Sequence, residues 1–315
     1  MILFQNKIIY MPSIPPLSKF ETADDYAAEC RPVRWTEDSL VTKDRVHISL
    51  LLGEMPDEAT KTPLEEVEHV VVLYFQGNAS SLPPRLPFLS QALKKAKQPP
   101  SPSHRKITIV GVSYRGYWTS SGRPSQRGIE IDAKAALSWA LHKYAHLPRV
   151  KIVLWGQSIG AGVATGLAAD YRANPAEFAT DDLRIPISGL VLETPFTCME
   201  DLLLAFYPQK WLPYHYLGPF LRSHWDSVRA VERIAGVGLD GETDTHTQDG
   251  PTPQILLLEG EKDEVVPAGN AEILERRCRE VNLDVQRKVI PRALHSTVIM
   301  DTTGQRAVAD FLKTI

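Results

Sequence analysis

The sequence predicts an α/β fold, a mostly parallel, doubly wound sheet with helices on both faces, in a single domain over residues 1–315. Two observations carry this expectation. Short runs that are apolar on both sides, such as Val70-Val71-Val72-Leu73-Tyr74-Phe75, read as strands buried on both faces. They alternate with helix-like stretches from about residue 69 onward, and that rhythm calls for crossover connections in a parallel sheet. The composition agrees: 315 residues, 43% hydrophobic and 23% charged, match an ordinary globular chain able to bury a core.

The elements follow in order. Val46 to Gly53 reads as an entry strand. Five buried runs follow, at Val70–Phe75, Ile107–Val112, Lys151–Trp155, Gly189–Leu192 and Gln254–Leu258, and a more amphipathic strand covers Asp284–Ile290. Helical patterns lie near residues 86–97, 129–146, 160–171, 269–281 and 303–314. Four segments break the rhythm. Residues 58–66 form a charged loop, and residues 99–103 a proline-rich one. Residues 236–253 hold Gly, Asp, Thr and Pro with almost no apolar side chain, which predicts a mobile loop. Residues 194–231 are rich in aromatics and interrupted by Pro208, Pro213 and Pro219, which predicts a small helical cap on the sheet.

Charge and cysteine content exclude several classes. A net charge of −3 provides no basic field for nucleic acid. Cys30, Cys198 and Cys278 are odd in number and far apart, with no Cys-x-x-Cys pair, which argues against a disulfide scaffold or a cysteine zinc site. No cofactor or metal is expected. No apolar run approaches the ~18–20 residues that span a bilayer, and Met1 to Met11 is too short and polar for a signal-peptide core. The expectation is a chain that is soluble, or peripheral to an endomembrane, on the reducing, cytoplasmic side.

The chemistry concentrates at the ends of the strands. Gly156-Gln157-Ser158-Ile159-Gly160 matches G-x-S-x-G. Alone, the pattern equally fits a glycine-rich βα turn. Its place directly between a strand and a helix makes it a nucleophile elbow, whose sharp turn excludes side chains at the flanking glycines. Ser158 needs a base to take its proton. In such sites the acid and then the histidine follow the serine in the chain, and only His295 lies beyond the last candidate acid. Asp263, after the strand Ile255–Leu258, is the expected acid, able to hold the imidazole tautomer. Glu193, at the end of the preceding strand, is the alternative, though an N-terminal partner for the cap helix is the better reading of it. The oxyanion hole is expected from the backbone N–H of Ile159 and that of Asn78, in the loop Gln76–Ser80. Phe206, Tyr207 and Trp211 of the cap are candidates for binding substrate. They serve equally well as the cap's own core.

Together these residues resemble the α/β-hydrolase superfamily, and more narrowly the small bud-emergence-type hydrolases of fungi and their animal and plant relatives. That group carries F-H-G-N-A, D-Y-R-G-Y-G-x-S-x-G, G-x-S-x-G, G-x-x-D-x-x-V-P and a late G-x-H. The counterparts are Phe75–Ala79, Ser113–Gly122, Gly156–Gly160, Gly260–Pro267 and Ala293–His295. Gln76 stands where the pattern has histidine, Ser113 where it has aspartate and Trp118 where it has glycine. The resemblance implies hydrolysis of esters or thioesters on lipids or acylated proteins, hence a small acylated or lipid-like substrate and peripheral membrane contact. Relatives often carry an N-terminal membrane anchor. Two alternatives stay open: a serine peptidase or amidase, which uses the same triad, and a non-catalytic scaffold that keeps the fold.

Overall fold

The computed structural model describes residues 6, 9–12, 14–56, 63–99, 104–178, 185–206, 221–238 and 250–315. Strands β1 (Arg34–Val41), β2 (His47–Glu54), β3 (Glu68–Phe75), β4 (Arg105–Val112), β5 (Val150–Gln157), β6 (Ile187–Glu193), β7 (Gln254–Gly260) and β8 (Val285–Ile290) form one sheet. Their spatial order is β1-β2-β4-β3-β5-β6-β7-β8. The β1–β2 and β2–β4 pairs are antiparallel, and every pair from β4 to β8 is parallel.

Side chains alternate between two cores, as the pleat requires. Val71, Leu73 and Phe75 of β3 enter one, with Ile152 and Leu154 of β5. Val70, Val72 and Tyr74 enter the other, with Val153 and Trp155. After the four-residue α1 (Ala27–Cys30), the second core is covered by α2 (Leu86–Ala96) and α8 (Thr302–Thr314). The first is covered by α3 (Gln126–Tyr144), α4 (Ile159–Ala173), α6 (Ser227–Ala235) and α7 (Asn270–Glu280). Each expected strand and helix is present within a few residues.

Strand β1 was not expected. Arg34-Trp35-Thr36-Glu37-Asp38-Ser39 looks like loop because it lies at the sheet edge, where only Leu40 of the strand is buried. Hydrogen bonding to β2 makes it a strand, and its charges suit an exposed edge.

The segment expected as a cap is more closely tied to the main body than its composition suggests. Helix α5 (Met199–Phe206) starts it, and α6 crosses its expected end at residue 231 to reach Ala235, packing against α4. Phe196 and Trp225 are buried in the first core, and the Trp225 indole donates to the Tyr10 hydroxyl at 3.0 Å. Tyr207 and Trp211 lie outside the described residues, as does the Phe206 side chain and most of the loop at 236–253. Among the described residues no helix is long and apolar enough to cross a membrane.

Candidate active site

The parallel strands β3, β5, β6 and β7 end at one edge of the sheet, so the loops that follow them share that edge. Ser158 sits between β5 and α4 with φ 53° and ψ −117°, backbone that a residue with a Cβ adopts only under constraint. The constraint is close packing. A Cβ on Gly156 would lie 2.0 Å from the Gly160 carbonyl oxygen, and one on Gly160 would lie 2.1 Å from that of Phe75. The two glycines therefore let the start of α4 sit directly on the end of β3, beside the Gln76–Ser80 loop. Ser158 itself is 8% exposed.

Asp263 and His295 are brought together. The imidazole Nδ1 lies 2.9 Å from Asp263 Oδ2 and 3.1 Å from Oδ1, leaving Nε2 for a second partner. Asp263 Oδ1 also accepts from the N–H groups of Val265 and Val266 at 2.8 Å each. Burial pushes this carboxyl up, but the His295 contact and those two amides outweigh it and hold it below the ordinary aspartate range. The loops carrying the pair are joined along their length. Lys262 N–H donates to Ala293 O at 2.9 Å, and His295 N–H to Glu264 Oε2 at 3.0 Å. Among the described residues no hydrogen bond joins Ser158 Oγ to His295. Such contacts are often long without substrate and tighten when it binds.

Ile159 opens α4, so its N–H has no acceptor within the helix and is available to an anion at the helix start. The Asn78 side chain is committed elsewhere. Its Oδ1 accepts from Met11 N–H, Ala79 N–H and the Tyr117 hydroxyl, while its Nδ2 donates to Ile9 O. Only the backbone N–H of Asn78 is left for an oxyanion. Ala79 and Ser80 both have φ 64°, a pair with positive φ in the loop after β3. The Tyr114 hydroxyl donates to Gln76 O, and the Gln76 amide is buried without a hydrogen-bond partner.

Two other departures from the resemblance acquire a physical reading. Trp118 has φ 43°, the left-handed backbone that glycine enters freely, and is held there by burial and an indole bond to Glu21 O at 2.7 Å. Ser113 is fully buried, donating to Tyr117 O and accepting nothing that requires a carboxylate's charge. Glu193, the alternative acid, is also fully buried at the end of β6, and neither of its carboxyl oxygens has a hydrogen-bond partner. It is not the residue that orients the imidazole through Nδ1.

No family model matches the chain. It is 25% identical over 311 residues to Protein bem46 of Schizosaccharomyces pombe, covering 98% of this chain and 86% of that one. It is 26% identical over 314 residues to the Alpha/beta hydrolase domain-containing protein WAV2 of Arabidopsis thaliana, covering 96% and 83%. A shorter match of 200 residues, 63% of this chain and 44% of the other, is 30% identical to the Lysophosphatidylserine lipase ABHD12 of Danio rerio. Among solved structures, the Pyrococcus furiosus esterase superposes with a TM-score of 0.59 at 17% identity, covering 93% and 94%. The sheet order, the sharp turn at Ser158 and these likenesses agree: the chain has the α/β-hydrolase fold and is similar along nearly its whole length to Protein bem46 and to WAV2.

Proposed function

We propose that the protein is a serine hydrolase that cleaves carboxylic ester or thioester bonds of acylated, lipid-like substrates through an acyl-enzyme on Ser158. The observation that carries this reading is the strained serine at the end of β5, on the same sheet edge as the hydrogen-bonded Asp263–His295 pair. In the proposed reaction His295 Nε2 takes the Ser158 proton as Oγ attacks the acyl carbon. The resulting oxyanion is met by the N–H groups of Ile159 and Asn78. Collapse expels the alcohol or thiol, protonated by His295, and water activated by the same imidazole releases the acid. Asp263 keeps the proton on Nδ1 and stabilises the imidazolium. The likeness to an esterase and to a lipase supports an acylated substrate. Peripheral contact with a membrane belongs to the same proposal.

A fluorophosphonate probe tests the reading directly. Wild type is expected to label at Ser158, while Ser158→Ala is expected to stay unlabelled, folded, and lower in kcat by several orders of magnitude. Full turnover by Ser158→Ala would sink the assignment, and an unlabelled wild type would favour the scaffold. Parallel assays on acyl esters and aminoacyl amides separate esterase from amidase. Phe206, Tyr207 and Trp211 remain the acyl-chain candidates. If they line a channel, kcat/KM rises steeply from acetyl to octanoyl esters, at about 0.8 kcal/mol per buried methylene, and Trp211→Ala flattens the rise. A preference for acetyl esters would rule the channel out.

A further inference from the structure

The loop after β3, which carries the proposed oxyanion donor Asn78, is hydrogen-bonded to a segment near the start of the chain. Ile9 O accepts from Asn78 Nδ2 at 2.5 Å, and Met11 N–H donates to Asn78 Oδ1 at 3.1 Å. Ser80 N–H donates to Ile14 O at 2.5 Å. The backbone on either side of Tyr10 is therefore tied to one side chain of that loop. Two further tyrosines hold the same loop: the Tyr117 hydroxyl donates to Asn78 Oδ1 and that of Tyr114 to Gln76 O, each at 2.9 Å.

The Tyr10 side chain makes a different connection. It is 2% exposed, and its hydroxyl lies 3.1 Å from Ser223 Oγ and accepts from the Trp225 indole N–H at 3.0 Å. Accepting from Trp225 leaves the hydroxyl hydrogen for Ser223. Burial pushes this phenol up to about 12, so it stays neutral wherever a histidine base operates. Trp225 in turn packs on α4: a Cβ on Gly162 would lie 3.2 Å from the Trp225 Cβ. Gly162 is within one helical turn of Ile159, the other proposed oxyanion donor. Tyr10 thus joins the segment that carries one donor to the helix that carries the other.

Two N–H groups stabilise an oxyanion only where both reach the same oxygen, and a small error in either position is costly. Ile159 is fixed by the first turn of α4. Residues 76–80 belong to no helix or strand, so the place of the Asn78 amide depends on what hydrogen-bonds to its loop. A phenylalanine at position 10 would fill nearly the same space. What the hydroxyl adds is a cross-link, which anchors the Ile9–Met11 backbone against Ser223 and Trp225 while that backbone grips Asn78.

We propose that Tyr10 is a positioning residue for the oxyanion: anchored on Ser223 and Trp225, it holds the Ile9–Met11 backbone on Asn78 and so sets the reach of the Asn78 N–H relative to that of Ile159. The proposal rests on the serine-hydrolase reading above. Tyr10 acts through Asn78, so its effect belongs in kcat and in the affinity for transition-state analogues, and not in KM.

The test begins by counting active sites with the fluorophosphonate probe, so that every rate refers to folded, labelled protein. In Tyr10→Phe, kcat per labelled site for a p-nitrophenyl ester falls roughly five- to twentyfold, while KM stays within about twofold. The Ki of an acyl trifluoromethyl ketone rises by a similar factor, because Ser158 Oγ adds to its carbonyl carbon, His295 takes the proton, and the adduct carries an oxyanion. Ser223→Ala, which spares the ring and the Trp225 bond, moves kcat and Ki in the same directions by roughly two- to threefold, and decides the matter if Tyr10→Phe does not fold. Fewer labelled sites with unchanged kcat per site and unchanged Ki mean that Tyr10 merely stabilises the fold, and overturn the proposal. A rise confined to KM overturns it as well. A second measurement needs no turnover: amide exchange at Ala79, whose N–H donates to Asn78 Oδ1 at 2.9 Å, quickens in both variants while the amides of β3 stay protected. Unaltered exchange at Ala79 contradicts the brace. A wild type that neither labels nor binds the ketone sinks the serine-hydrolase reading, whereas a labelled wild type with unaltered variants sinks this proposal alone.

Discussion

The fully buried carboxyl of Glu193 has a stability consequence of definite sign. In the unfolded chain Glu193 ionises near 4.5, and in the folded protein near 7. Its folded value is raised, so the stability its neutral form permits is fully present below about pH 4.5 and is lost as pH rises through about 7. A shift of that size corresponds to about 3 kcal/mol. Glu193→Gln is therefore expected to stabilise the protein more at pH 8 than at pH 5. Urea denaturation at the two pH values measures this, and an equal effect at both would contradict it. At this scale the sequence offered Ser158, Asp263 and His295 as candidates because their motifs have fixed order and spacing. It also showed the departures at Gln76, Ser113 and Trp118. What it did not show is that Trp118 holds a left-handed backbone, since φ depends on neighbours that the ring buries against.

Helix α6 shows what composition conceals in a single element. Its nine residues, Ser227–Ala235, stand next to a run of aromatics and prolines and read from sequence as the tail of the cap. Its start nevertheless carries a local signal: Asp226 accepts from Arg229 N–H at 2.8 Å as the N-cap, and Gly236 closes the other end at φ 85°. Asp226→Ala is expected to lower stability by about 1 kcal/mol and Asp226→Ser by much less. Chemical denaturation reads the difference, and equal losses would show that the cap bond contributes nothing. Probe labelling of Ser158 is expected to survive either change. The buried face of the helix packs on α4.

Across the whole molecule, one ion cluster joins three segments distant in sequence. Arg115, in the loop after β4, donates to Asp132 of α3 at 2.9 Å and to Asp44 of the β1–β2 turn at 2.8 Å. Asp132 is fully buried and Arg115 nearly so. Burial pushes the Asp132 carboxyl up, and Arg115 pulls it back toward its charged form. Arg115→Leu would strand that carboxyl, with an expected cost of about 3–5 kcal/mol by denaturation. The double change Arg115→Leu with Asp132→Leu is expected to recover part of it, because no charge is then left buried. A single variant as stable as wild type would contradict this account.

The sequence by itself determined the layer architecture and the catalytic candidates. Both are written in local periods and short motifs: paired apolar runs for buried strands, a serine between strand and helix, an acid and a histidine in fixed order. It could not determine β1, whose strand character comes from its hydrogen-bonding partner, since its own pattern is that of an exposed edge. Nor could it show that the Asn78 side chain is occupied by Ile9, Met11 and Tyr117, leaving only its amide for chemistry. The full burial of Glu193 at the end of β6 was equally hidden, because it depends on elements that pack over the sheet only in the folded chain. Tertiary structure decided these features because burial and partnership are properties of pairs far apart in the chain, and a single sequence records only one member of each pair at a time.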